Sequence, residues 1–173
     1  PLPPGFEQPP ILQAKADGEA EFVKDYDYET RRMIDFEIAD RSVDFISEKA
    51  AADTPFFLYI AWTRPHEPNK PSPMFEGKSR IGDYGDGVME LDYNTGRVLA
   101  GIDEAGISDN TIVVWVSDNG PTYTTAWPDA GFAGPYRGEL GGPLEGSIRT
   151  AGMIRWPGHI APSVSNEMVS IMD

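Results

Sequence analysis

VVWVSDNGP, residues 113–121, runs four apolar side chains directly into Ser117-Asp118-Asn119-Gly120-Pro121. A short apolar run closed by turn residues reads as a strand covered on both faces. It ends in a carboxylate, a carboxamide and a turn, and that ending has two readings. Asp and Asn form Asx turns and Gly takes positive φ, so the stretch is a sound turn by itself. The same Asp118 and Asn119 are hard oxygen donors of the kind that Ca²⁺ and Mg²⁺ prefer.

A second run of this kind is FFLYIAW, 56–62, bounded by prolines. Residues 30–50 are predicted to be a helix, with Phe36, Ala39, Val43, Ile46 and Ala50 spaced three and four apart. Asp53-Thr54-Pro55 ends it. A second helix is predicted at about 84–105, its inner stripe made of Val88, Leu91, Thr95, Val98 and Ile102. Gly106 fits its C-terminal cap. A third short strand is expected near 151–156, after a loop rich in Gly and aromatics at 119–143. Residues 1–29 are Pro-rich, then acidic and aromatic, and read as extended loop over a surface. The order helix, strand, helix, strand, loop, strand predicts an α/β layered domain with a parallel sheet.

Composition limits what such a domain can do. The 173 residues suffice for one domain, with 40% hydrophobic and 24% charged residues. The net charge of −14 argues against nucleic acid or an anionic membrane as partner. An anionic substrate therefore has to meet a local cation. With no Cys, disulfides, thiolate metal sites and a Cys nucleophile are excluded. No apolar stretch is long enough to span a bilayer, and no signal peptide is visible. Pro1 opens the chain without Met and the last residues, MVSIMD, break off inside an apolar pattern, so both ends are expected to be cut.

In an open α/β sheet, ligands bind beyond the carboxyl ends of the strands. Asp118 and Asn119 sit at such an end. His66, in TRPHEP, follows the other run by a few residues, and parallel strands would bring all three to one rim. His66 can donate to an anion or move a proton there, or be an ordinary solvated loop residue. His159, in WPGHI, reads as structural or solvent-exposed. Asp83, Asp86, Glu90 and Asp92 read as acids complementing the dipole of the second helix. Trp62, Trp115, Trp127 and Trp156 read as packing, with Trp127 in the loop nearest the expected site.

Three stretches carry a resemblance: PFFLYIAWTRPHEP, GVMELDYNTGRVLAGIDEAGISDNTIVVWVSDNGP and GPYRGELGGPLEGSIRTAGMIRWPG. In that order, over about two-thirds of the chain, they are similar to sulfatases of the arylsulfatase type, in the alkaline-phosphatase-like superfamily. The resemblance implies that 1–173 is part of a catalytic domain built on a large mixed, largely parallel sheet flanked by helices. It implies hydrolysis of small-molecule sulfate monoesters with a divalent cation, usually Ca²⁺. Carried onto this chain, Asp118 and Asn119 become metal ligands, and His66 contacts the sulfate or the leaving group. A periplasmic or secreted location follows from the resemblance only.

The departures are specific. The family's formylglycine comes from Cys or Ser in a C/S-x-P-x-R motif, and none occurs here; Ser72-Pro73-Met74 does not match. The early Asp-Asp metal pair is also missing. Both are expected before residue 1. Leu140 stands where many members carry an anion-binding Lys, and Arg137 is the candidate substitute. A phosphonate or phosphate ester hydrolase of the same superfamily, or a non-catalytic partial homologue, remains an alternative. The chain alone is expected not to hydrolyse sulfate esters.

Overall fold

Helix α1, Tyr28–Ala51, starts where Asp27 accepts the Thr30 N–H through Oδ1 at 2.7 Å. This N-cap satisfies one of the orphan donors of the first turn. The computed structural model describes residues 9–122 and 131–170. Helix α2, Gly82–Glu104, follows after a long loop. Both helices close in the same way. After α2, Gly106 takes φ +72°, and Ile107 N–H reaches back to the Ile102 carbonyl at 3.3 Å. After α1, Asp53 takes φ +48° and Thr54 N–H reaches the Lys49 carbonyl at 3.0 Å. These paired backbone bonds are Schellman caps, with Asp53 in the place usually held by Gly.

The two helices pack against each other around Ile46, Val98 and Ile102. Gly101 permits the approach, since a Cβ there would lie 3.2 Å from Val43 Cγ2. Phe56, Leu58, Ile60, Trp62 and Val113 close the same cluster from the other side. A second, aromatic cluster joins Phe36, Phe75 and Tyr93, with ring centroids 5.5–6.4 Å apart.

The strands differ from expectation in three respects. Residues 56–62 are extended but join no ladder among the described residues. Phe56, Leu58, Ile60 and Trp62 face the core, while Phe57 is 88% and Tyr59 80% exposed. This is the period of two of an extended chain with one face covered, not two. Strand β3, Val113–Val116, alternates in the same way, with Val114 and Val116 more than half exposed. It pairs antiparallel with β4, Gly152–Arg155, in the register Val113↔Arg155 to Val116↔Gly152. The predicted third strand is therefore present, but both ladders among the described residues are antiparallel. What stands is a partial α/β arrangement.

The third difference lies in residues 1–29. Strands β1, Ile11–Gln13, and β2, Glu21–Lys24, form an antiparallel hairpin where a loop was expected. Gly18 N–H closes the turn on the Lys15 carbonyl at 3.0 Å, beside Asp17 at φ +61°. Lys24 then pairs with Glu37, and Arg41 reaches Gln13 Oε1, so α1 holds the hairpin. No helix among the described residues is long and apolar enough to cross a membrane.

Candidate functional site

Loop 63–80 carries His66, and buried charges on the two helices hold its backbone. Asp35, fully buried on α1, accepts the N–H groups of Thr63 and Arg64 at 2.9 and 3.1 Å. Arg31, one turn earlier, donates to the carbonyls of His66 at 2.7 Å and Pro68 at 3.1 Å. The Arg64 guanidinium folds inward, donating to the carbonyls of Arg31, Arg32 and Lys70. Its Nε stands 3.3 Å from Glu90 Oε1, with both side chains wholly buried. Glu90 Oε2 takes the Ser72 N–H at 2.7 Å. Backbone groups of a buried loop need such partners, or their desolvation is uncompensated.

This corrects the reading of the acids on α2. Asp83 lies in the first turn, as a dipole partner should. Asp86 and Glu90 are instead buried and bind loop backbone. Asp86 accepts from Gly77 N–H and Ser79 N–H. Burial pushes its carboxyl up, but the hydrogen bonds from Ser79, Gly77 and Lys78 outweigh that and hold it below the usual range. Farther out, Glu76 bridges Lys70 and Arg32, and those bonds lower its carboxyl as well.

His66 itself is exposed, and its Nδ1 lies 2.6 Å from the Glu67 carbonyl oxygen. A carbonyl can only accept, so Nδ1 is the donor in this contact and Nε2 is left to face outward. His159 is exposed and stacks on Trp156, centroids 4.0 Å apart.

The Ser117–Pro121 turn is held from within and from without. Asp118 Oδ1 accepts the Asn119 N–H at 2.9 Å, and Asn119 Nδ2 donates to the Gly120 carbonyl at 2.8 Å. Both bonds span a single residue, so they are local contacts and not the i to i+2 bond of an Asx turn. The arrangement leaves an exposed carboxylate and an amide whose nitrogen end is already bonded, and the oxygen donors fit a hard cation in kind. From outside, Gly120 N–H donates to the Ser147 carbonyl at 2.8 Å and Leu140 N–H to the Pro121 carbonyl at 2.9 Å. Ser147 belongs to the one-turn helix α3, Glu145–Ile148. Gly146 N–H closes the loop on the Arg137 carbonyl at 2.8 Å.

The turn and loop 137–147 are therefore joined through their backbones, Gly120 to Ser147 and Leu140 to Pro121. Arg137 lines a shallow groove of about 570 Å³ with Phe132, Pro135, Tyr136 and Leu144. Arg149 covers the Tyr136 ring at 4.5 Å. Trp127 lies outside the described residues. Among the described residues, no hydrogen bond or ion pair joins His66 to Asp118 or Asn119, and no three His, Asp or Glu gather as a metal cluster.

Comparison with known proteins adds a family. A sequence model of the Sulfatase family matches residues 11–173. The chain is 41% identical to the N-acetylgalactosamine-6-sulfatase of Rattus norvegicus over 133 residues, 76% of this chain and 25% of that protein. It is 36% identical to the arylsulfatase A of Homo sapiens over 130 residues, 75% of this chain and 25% of that protein. The solved PsFucS1 sulfatase from Pseudoalteromonas sp. superposes with a TM-score of 0.82 at 34% identity, covering 87% of this chain and 30% of that one. The chain spans about a quarter of the length of the curated relatives it matches.

Proposed function

This chain belongs to the sulfatase family, and from that premise we propose that its residues form part of a sulfuric ester hydrolase acting on small-molecule sulfate monoesters. Asp118 and Asn119 would hold a divalent cation; their oxygens suit Ca²⁺ and Mg²⁺ alike, and Ca²⁺ is the one that the family resemblance implies. When bound, the cation supplies polarisation of the sulfate group and neutralises its charge. Two ligands are a minority of the ~6–8 oxygens Ca²⁺ takes, so the remaining donors are assigned to residues outside this chain. The parallel strands of the complete sheet are assigned there as well.

The roles of the side chains follow from their chemistry. His66, with Nδ1–H tied to the Glu67 carbonyl, offers Nε2–H to the oxygen that leaves as charge develops on it. A carboxylate facing the sulfate directly would repel it, so Asp118 acts through the cation only. Arg137 supplies positive charge on the groove side, in a chain whose net charge is −14. The family's formylglycine precursor is not among these residues, since Cys is absent and no Ser lies in an S-x-P-x-R setting.

The observation that supports this reading most is the Asp118–Asn119 turn at the carboxyl end of β3, pinned by Gly120 to the Arg137 loop. The test is a substrate panel on the complete enzyme, assayed with EDTA and with added Ca²⁺. An aryl sulfate should be turned over only with the cation. An aryl phosphonate or phosphate diester cleaved in preference would move the assignment to another branch of the superfamily. Residues 1–173 alone should show no turnover of the aryl sulfate.

A further inference from the structure

A guanidinium on α1 is buried to hold two carbonyls of loop 63–80. Arg31 lies almost wholly inside, on the face of α1 that also carries Asp35. Its Nη2 donates to the His66 carbonyl at 2.7 Å, its Nε to the Pro68 carbonyl at 3.1 Å, and its Nη1 to the Tyr26 hydroxyl at 3.1 Å. Taking a charge out of water is unfavourable unless its hydrogen bonds are replaced. Here two of the three bonds shown go to carbonyls on either side of Glu67. That residue's own carbonyl, between the two anchored ones, receives His66 Nδ1–H at 2.6 Å.

We propose that Arg31 is the positioning residue of His66: by fixing the carbonyls of residues 66 and 68 it aims the Glu67 carbonyl at Nδ1. This locks the ring orientation and leaves Nε2 as the nitrogen presented to substrate. Asp35 fixes the approach to the same segment by accepting the Thr63 and Arg64 N–H groups. Planarity is essential to the device. A guanidinium presents Nε–H and Nη–H as a fork that spans two acceptors, whereas a lysine ammonium is a point charge on a flexible stem. The proposal rests on the assignment of His66 to the active site.

The experiment uses the complete enzyme with ¹⁵N-labelled histidine, the His66 signals being identified by their loss in His66→Gln. Arg31→Lys, Arg31→Met and Arg32→Ala are compared. Arg32 donates to the Pro71 carbonyl of the same loop, beyond the His66 segment, and serves as the control. In Arg31→Lys and Arg31→Met, His66 should lose its fixed Nδ1–H form, and kcat should fall by up to ~100-fold with KM little changed. Arg32→Ala should keep the Nδ1–H form. Should Arg31→Met be too unstable to study, Arg31→Lys keeps the charge and decides alone. An Nδ1–H form retained in the Arg31 variants, whatever happens to kcat, overturns the positioning role. Full activity in His66→Gln would instead overturn the assignment of His66, and the NMR result on the ring would still report on Arg31.

Discussion

Gly120 and Gly146 meet backbone to backbone: a Cβ added at Gly120 would lie 1.8 Å from the Gly146 carbonyl oxygen. A Cβ at Gly146 would in turn lie 2.4 Å from the Gly138 carbonyl oxygen. Neither obstacle is a side chain that could swing aside. Glycine at these positions is a condition for the Asp118–Asn119 turn to sit against the Arg137 loop.

Gly120→Ala is therefore expected to separate the two segments. Overpacking of this kind costs about 1–3 kcal/mol, measured as a lower denaturation midpoint, and cation affinity should fall with it. Gly96→Ala makes the contrast. A Cβ at Gly96, in the exposed middle of α2, meets nothing within 4 Å, so the gain in helix propensity should stabilise by up to ~1 kcal/mol.

Glu90→Ala leaves the Arg64 guanidinium buried without its countercharge and the Ser72 N–H without its acceptor. Removing one partner of a buried pair costs roughly 3–5 kcal/mol. Chemical denaturation should show that loss. A change below ~1 kcal/mol, the size for an exposed pair, would mean that water reaches the pair.

Asp86 sets an acid limit on stability. Its folded-state carboxyl is held below the usual aspartate value of 3.8. The stabilisation this represents is complete above that value and is lost as pH falls through the lower folded-state value. Thermal midpoints below pH 4 should drop less steeply in Asp86→Asn, which lacks the titrating group, although that variant is less stable at neutral pH.

Much of the helical frame was legible in the sequence, because spacings of three and four residues and the caps are local signals. Helix α1 runs Tyr28–Ala51 against an expected 30–50, and Gly106 caps α2 as read. The hairpin was missed because Pro and acidic residues dominate 1–29, although Asp17-Gly18 is a turn signal between two short apolar runs. FFLYIAW was read as covered on both faces because a continuous apolar run hides the alternation that leaves Phe57 and Tyr59 exposed. Asp86 and Glu90 were misread because acids near a helix start are normally solvated. The available clue was Asp86, Glu90 and Asn94 at intervals of four, one helical face that turns out to be buried. Asp118, Asn119 and His66 were found as residue types. The shared rim expected of them rested on parallel pairing of 56–62 with β3, which is not among the described ladders.

The central claim is that the Asp118–Asn119 turn ligates a cation rather than merely turning the chain. It is tested most directly by calorimetric Ca²⁺ titration of the complete enzyme and its Asp118→Ala variant, with helix content checked by circular dichroism. The account predicts that the variant stays folded while its Kd for Ca²⁺ rises by more than about tenfold, ~1.4 kcal/mol of binding free energy. A variant that binds Ca²⁺ as tightly as the parent would contradict it and leave Asp118 as a turn residue.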